Sequence, residues 1–359
     1  MKNHTYIIAE AGVNHNGSIE LAFELIDIAV KAGADAVKFQ TYKTENLVTK
    51  KAKQAEYQVE NLGEETSQFA MLKNLELSYE EFVQLKAYCD KKRIEFLSTP
   101  FDLESVDFLI DEIGINTVKI PSGELTNSPF IHYIAKKRKS IILSTGMATM
   151  DEIHEALSFI AYGLAYPNEM VSIDEVRKFY NTQEAKEWLQ EFVTVLHCTT
   201  EYPTPYKDIN LRAMDSLKKE LHVNIGLSDH SEGIYVPIAA VACGAKIIEK
   251  HFTISRLLPG PDHRASLEPD ELTEMVSSIR KIEKSLGDID KKPTLNEQLN
   301  RKAARKSLVA TKTIRVGEIF TEENLTVKRP GSGMEPSKFW SIIGTKALKN
   351  YEEDDLIDE

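Results

Sequence analysis

The sequence predicts an α/β chain: a closed (β/α)8 barrel, the TIM barrel, followed by a small C-terminal module. Three observations carry this reading. Short apolar runs alternate with longer amphipathic segments over the first three-quarters of the 359 residues. About eight such units in roughly 250 residues match the size of a (β/α)8 barrel. The alternation then stops after Gly287. Strand–helix alternation implies parallel strands joined by helical crossovers. An open doubly wound sheet is the alternative arrangement of the same units.

The expected strands, in order, are Tyr6–Ala9, Ala36–Phe39, Ile94–Leu97, Thr117–Ile120, Ser140–Leu143, Val193–Leu196, Val223–Gly226 and Lys246–Ile248. Helices lie where apolar residues recur three or four apart, as in Leu21, Leu25, Ile28, Ala29; in Phe82, Leu85, Tyr88, Cys89; and in Leu272, Met275, Val276, Ile279, Ile282. Two segments interrupt the rhythm. Residues 43–78 are mostly polar and too long for an ordinary connection, and long βα loops are often functional. Residues 164–190 read as a helical insertion between the fifth and sixth units. The barrel thus occupies 1–287, with 288–300 a linker and 301–359 a module too small to fold alone with ease. Within that module a short helix is expected near Ser337–Ile343, and the acidic run Glu352–Asp355 reads as a solvated tail.

Composition excludes several classes. Hydrophobic residues at 42% and charged residues at 28% are a globular balance, not a disordered one. No apolar run approaches the roughly 20 residues of a membrane span. The run at Tyr6–Ala9 ends at Glu10, too short for a secretory signal, so a cytoplasmic location is expected. Three widely spaced cysteines form neither a disulfide framework nor a zinc ribbon. A net charge of −12 leaves no broad basic surface for nucleic acid, yet a few lysines in a cleft can still bind a small anion.

Nearly every expected strand runs into polar residues. Strand one meets Glu10; strand two carries Lys38 and Gln40; strand three leads to Ser98-Thr99-Pro100. Strand four carries Lys119 and meets Ser122-Gly123-Glu124, and strand five meets Ser144-Thr145-Gly146. The last three lead to His197-Cys198-Thr199, Ser228-Asp229-His230 and Glu249-Lys250-His251. In a parallel barrel these ends share one face, which holds the active site. Lys38, Lys119 and the hydroxyls of Ser98, Thr99, Ser122, Ser144 and Ser228 suit a phosphate or carboxylate. His230 and His251 suit a divalent metal, or serve as packed or general-base residues. Glu10, Glu124, Glu249 and Asp262 offer carboxylates for hydroxyl binding, water positioning or proton transfer.

These runs also carry a resemblance. Ala9–Gly17, Val37–Thr41, Leu97–Asp102, Lys119–Glu124, Ser144–Met147, His197–Pro205, Gly226–Ser231, Glu249–Thr253, Pro259–His263 and Val327–Gly331 are similar, in this order, to the sialic acid synthases. Those are phosphoenolpyruvate-condensing enzymes of nonulosonic acid synthesis with a C-terminal SAF (antifreeze-like, β-clip) domain. The resemblance implies condensation of phosphoenolpyruvate with the open-chain aldehyde of an N-acylated hexosamine, with phosphate lost by C–O cleavage. It implies a divalent metal, manganese or magnesium, on His230 and His251, and phosphoenolpyruvate on Lys38, Thr99, Lys119, Ser122, Ser144 and Ser228. Where some members carry an asparagine that contacts phosphoenolpyruvate, this chain has Thr200, a hydroxyl without an amide carbonyl. Glu10 falls where the family carboxylate positions water, and Gln40, Glu124, Tyr202 and Asp262 would contact the sugar. It further implies a domain-swapped homodimer in which Arg329 reaches the N-acyl group in the partner's barrel. N-Acetylneuraminate synthase acting on N-acetylmannosamine is the first expectation, and a legionaminate synthase acting on a 2,4-diacetamido-2,4,6-trideoxyhexose is the alternative. A sugar-phosphate condensing synthase would need cations for a second phosphate, and an ice-binding role would leave the polar mouth without a purpose.

Overall fold

The computed structural model describes residues 4–62 and 66–358. The chain divides into two compact units, Met1–Gly287 and Asp288–Glu359. In the first, the strands are β1 (Tyr6–Gly12), β2 (Ala36–Thr41), β3 (Glu95–Pro100), β4 (Thr117–Ile120), β5 (Ser140–Ser144), β6 (Val193–Cys198), β7 (Asn224–Asp229) and β8 (Ile247–His251). All pair in parallel, in the order β3-β2-β1-β8-β7-β6-β5-β4. β3 also lies beside β4, so the sheet curls into the expected near-closed barrel.

Most strands run one to three residues further than their apolar runs suggest, β1 to Gly12 and β8 to His251 among them. The ladder is made by main-chain groups, so it continues where the side chains turn polar. Glu10 stands opposite both Lys38 and His251, and Ser228 opposite Glu249. Glu10, Lys38, Gln40, Thr99, Lys119, Ser144, Ser228, Glu249 and His251 are therefore in the strands, whereas Ser122, Thr200 and His230 follow them.

Strand side chains alternate between two faces. One face meets the surrounding helices in the main core, as with Ile7, Val37, Val118, Ile120 and Ile248. On the other, Ile8, Ala36, Leu97, Ile142, Leu196 and Ile247 pack together inside the barrel. Gly226 shares this layer because a Cβ there would come within 2.6 Å of Leu196 Cδ2 and 2.5 Å of the Ile247 carbonyl oxygen. Two residues on from this layer, on the same face, come Glu10, Lys38, Thr99, Ser144, Cys198, Ser228 and Glu249.

The flanking helices form where the periodicity places them. Helix Ile19–Ala32 is capped by Ser18, whose side chain accepts from the Leu21 amide, and it buries Ala22, Leu25, Ile26 and Ala29. A reciprocal Ser78–Glu81 capping box opens helix Tyr79–Lys92. Segment 43–78 holds three short helices, Thr44–Leu47, Glu56–Leu62 and Gln68–Leu75. In 164–190, helices Ile173–Tyr180 and Gln183–Phe192 pack on helix Met150–Ala165 and bury Val176, Phe179, Ala185 and Leu189.

The second unit pairs β9 (Ser307–Ala310) with β10 (Leu325–Lys328) antiparallel. Leu308, Ala310, Ile314, Phe320, Leu325, Ala347, Tyr351 and Ile357 form its own core. Two expectations need correction here. The stretch 288–300 is not all extended linker, because a Thr294–Glu297 capping box starts a helix, Leu295–Ala304. The acidic run is solvated as expected, its four residues all exposed, but it is not a free tail. Asp354 pairs with Lys328, Glu352 accepts from Thr313 Oγ1 at 2.7 Å, and the flanking Tyr351 and Ile357 are buried. The apolar residues on either side pin the run to the sheet. Short helices near the expected place, Pro336–Lys338 and Phe339–Ile342, complete the unit. Among the described residues no helix is long and apolar enough to cross a membrane.

Candidate active site

A cavity of about 270 Å³ opens at the C-terminal ends of the barrel strands. Glu10, Lys38, Gln40, Thr99, Lys119, Ser122, Ser144, Thr200, Tyr202, Ser228, His230, His251 and Asp262 all line it, together with Glu249 and Cys198. One expected residue is placed elsewhere. Glu124 is outside the lining and accepts a hydrogen bond from Asn127 Nδ2 at 2.7 Å. Arg329 is an exposed residue of the second unit, just past β10.

The floor is a buried charge network. Lys38 Nζ lies 2.5 Å from Glu10 Oε2 and 3.6 Å from Glu249 Oε2, and it donates to Thr99 Oγ1 at 2.8 Å. Lys119 Nζ lies 3.3 Å from Glu249 Oε1, which also accepts from Ser228 Oγ at 2.7 Å. Buried ions persist only when paired, and Glu249 pairs with both lysines. Burial acts to raise the Glu249 pKa, but Lys119, Lys38 and Ser228 hold it well below the usual carboxylate range. Glu10 goes the other way: burial outweighs Lys38, and the Glu249 charge adds to the rise. One carboxylate is thus fixed as an anion, while the other can carry a proton near neutral pH. Burial lowers the Lys119 pKa, whereas Glu10 and Glu249 overcome burial to raise that of Lys38.

Lys38 has three oxygen partners, but Lys119 contacts only Glu249 among the described residues. The Oγ atoms of Ser144 and Thr200 are buried with no hydrogen-bond partner there. Ser122 Oγ accepts from the Gly146 amide at 2.9 Å. A Cβ on Gly146 would sit 2.1 Å from Thr200 Oγ1 and 2.9 Å from Ser122 Oγ, so both hydroxyls close over a bare backbone. Unspent donors from Lys119, Ser144 and Thr200 suit a small anion.

His230 and His251 meet with ring centroids 5.5 Å apart, and Tyr202 stacks on His230 at 4.0 Å. His230 Nδ1 pairs with the Thr199 carbonyl at 2.7 Å; assigning the proton to Nδ1 leaves the Nε2 lone pair for a ligand. His251 Nδ1 is buried without a hydrogen-bond partner, and burial, His230 and Lys38 push its pKa well below the ordinary value, keeping the ring neutral. These donors fit a divalent metal held by two histidines with substrate or water completing the sphere. Among the described residues no group of three or more His, Cys, Asp or Glu could hold one unaided.

Three features were placed near the site by the sequence, but their roles in it were not legible. Glu249 was one carboxylate among several, and only the structure makes it the shared partner of both lysines. Lys250, fully buried, donates to Asp229 Oδ2 at 2.7 Å and to the Ser231 carbonyl, locking β8 to β7 between the two histidines. The third is the wall contributed by segment 43–78, where Leu47, Val48, Met71 and Leu72 line the cavity. Asn61 Nδ2 ties that segment to the rim by donating to the Pro261 carbonyl at 2.7 Å. Asp262 is held by its own loop: His263 pairs with Thr253 Oγ1 at 2.6 Å and Asn16 Oδ1 at 3.1 Å, and a Cβ on Gly260 would strike its ring at 2.5 Å. Burial pushes the Asp262 pKa up to about 6.

A (β/α)8 barrel with buried paired lysines, two facing carboxylates and two imidazoles at its mouth defines an enzyme built for a small anionic substrate. Residues 25–291 match the NeuB family and residues 305–359 the SAF domain, and the chain belongs to the NeuB family, the nonulosonic acid synthases with a C-terminal SAF domain. Members are phosphoenolpyruvate-dependent transferases that form a carbon–carbon bond, and this chain is an enzyme of that class. It is 48% identical to N,N'-diacetyllegionaminic acid synthase of Campylobacter jejuni, over 99% of both chains. Human N-acetylneuraminate-9-phosphate synthase is 33% identical, over 99% of this chain and 91% of its own. Among solved structures, the N-acetylneuraminic acid synthetase of Leptospira borgpetersenii matches with a TM-score of 0.68 and 35% identity, covering 83% of this chain and 90% of that one.

Proposed function

We propose that this enzyme condenses phosphoenolpyruvate with the open-chain aldehyde of a 2,4-diacetamido-2,4,6-trideoxyhexose, giving N,N'-diacetyllegionaminic acid and phosphate. The observation that carries the choice of sugar is the 48% end-to-end identity to a diacetyllegionaminic acid synthase, against 33% to a neuraminate-9-phosphate synthase. It favours the trideoxy sugar over the N-acetylmannosamine expected first.

Lys119, Ser144 and Thr200, with Ser122 and Thr99 beside them, bind the phosphate and carboxylate of phosphoenolpyruvate, and Lys38 holds Glu10 and Glu249 in register. Carbon 3 of phosphoenolpyruvate bonds to the aldehyde carbon, whose oxygen takes a proton from solvent, and carbon 2 is left as an oxocarbenium centre. Water then adds to carbon 2 and gives a proton to Glu10, whose raised pKa suits it to accept one. Collapse of the tetrahedral centre breaks the C–O bond and releases phosphate. Gln40, Tyr202 and Asp262 face the sugar. His230 and His251 would hold manganese or magnesium, which supplies Lewis-acid polarisation of the aldehyde when bound. Chelation should remove activity and either ion should restore it. Arg329 and the SAF unit would complete the partner subunit's site in a homodimer. Mixing Lys119→Ala with Arg329→Ala subunits, at phosphoenolpyruvate concentrations where each alone is strongly impaired, should then raise turnover above either parent, and no gain after verified exchange excludes the swap.

The test of the function is turnover of the trideoxyhexose and N-acetylmannosamine side by side. The reading expects the higher kcat/KM for the trideoxyhexose, and a preference for N-acetylmannosamine refutes it.

A further inference from the structure

The cavity has two unlike halves. Its floor is the charged layer on the strand ends, and the segment between β2 and β3 supplies another wall, with an apolar patch of Leu47, Val48, Met71 and Leu72 beside the amides of Gln58 and Gln68. Met71 also belongs to a buried cluster with Val13, Tyr42 and Leu75, separate from the barrel core. The Asn61 bond to the Pro261 carbonyl fixes the segment to the rim, so the wall is a built surface.

Phosphoenolpyruvate carries a phosphate and a carboxylate, and only the floor offers cations and unspent hydroxyls. The wall from the segment between β2 and β3, with its apolar patch, therefore faces the second substrate. The aldehyde carbon of that substrate must sit at the floor, where the new bond forms. The far end of the open chain, carbons 5 and 6, is then the part that reaches the wall. Leucine, valine and methionine side chains give a methyl group dispersion contacts and give a hydroxyl no hydrogen-bond partner.

We infer that Val48 and Met71, flanked by Leu47 and Leu72, are specificity-determining residues that select a sugar deoxygenated at carbon 6 over its 6-hydroxy counterpart. This rests on the function proposed above. An apolar pocket rejects an added hydroxyl by up to about 100-fold, which sets the scale.

The experiment measures kcat/KM for the 2,4-diacetamido-2,4,6-trideoxyhexose and for the same sugar bearing a 6-hydroxyl, in wild type, Val48→Thr and Met71→Gln. Both substitutions keep side-chain size and add a hydrogen-bonding group. Wild type should prefer the 6-deoxy sugar by about 10- to 100-fold. Each variant should cut that ratio at least about threefold by gaining on the 6-hydroxy sugar, with the KM for phosphoenolpyruvate within about twofold of wild type. A wild-type ratio near one, or variants that lose both sugars in proportion, overturns the inference while leaving the proposed function standing. Turnover of N-acetylmannosamine but of neither diacetamido sugar overturns both. If Met71→Gln does not fold, Val48→Thr, at a half-buried position and with its shape kept, decides the matter alone.

Discussion

Two layers of side chains lie one strand period apart inside the barrel and follow opposite rules. Ile8, Ala36, Leu97, Ile142, Leu196 and Ile247 bring only carbon to the centre, whereas Glu10, Lys38, Lys119 and Glu249 bring four ionisable groups buried as deeply, each at most 4% exposed. The lower layer gains from leaving water. The upper one loses by it and survives because every ion has a partner. The apolar layer holds the strands at fixed spacing, and the charged layer inherits that rigidity as preorganisation for an anion. Stability and function are thus assigned to neighbouring layers of the same strands.

The largest expected effect separates the layers. Glu249→Ala leaves two buried lysines without their shared partner and should cost about 3–5 kcal/mol, with turnover abolished. Leu196→Ala should cost a similar ~2–5 kcal/mol through the cavity it opens, yet keep turnover wherever it is folded. Urea denaturation and kinetics on both variants check this, and a Glu249→Ala protein as stable as wild type would break the distinction.

Within the charged layer the two lysines should differ. Lys119 has donors to spare, so Lys119→Ala should raise the KM for phosphoenolpyruvate at least tenfold, equivalent to roughly 1.5–3 kcal/mol. Lys38 is spent on Glu10, Thr99 and Glu249, so Lys38→Ala should lower kcat more than it raises KM. Equal KM effects would show that both lysines hold the anion directly.

The smallest effect concerns polar groups buried neutral instead of paired. Burial pushes His15 and His263 down to about 4. Between about pH 6.5 and 4 the unfolded chain binds more protons at these sites, so their contribution is complete above pH 6.5 and lost as pH falls toward 4. Each should account for roughly 1–3 kcal/mol. Urea midpoints across this window should fall with pH, and less steeply in His15→Asn. An unchanged slope in that variant would contradict it.

Much of this contrast could be read from residue order. The apolar runs located every barrel strand, and the polar residues at their ends named most of the polar lining of the cavity. What the pattern hid was where each strand stops, because main-chain ladders continue under Glu10, Ser228 and His251 regardless of side-chain polarity. Pairing was hidden too: Glu249 is one glutamate among many until the barrel closes and brings Lys38 and Lys119 to it. The wall from residues 43–78 was hidden for a third reason. Its few apolar residues, Leu47, Val48, Met71 and Leu72, are scattered among polar ones and come together only when three short helices fold over the mouth. The same dispersion masked the acidic run at Glu352–Asp355, which Tyr351 and Ile357 hold in place from either side.

The central claim is that the charged layer binds phosphoenolpyruvate and that phosphate leaves by C–O cleavage after the sugar is attached. The most direct measurement uses phosphoenolpyruvate labelled with ¹⁸O at the bridging oxygen, incubated with the enzyme, metal and the trideoxyhexose. The account predicts that phosphate appears only when the sugar is present and carries the label. Label retained in the ulosonic acid, or phosphate released without sugar, would contradict it.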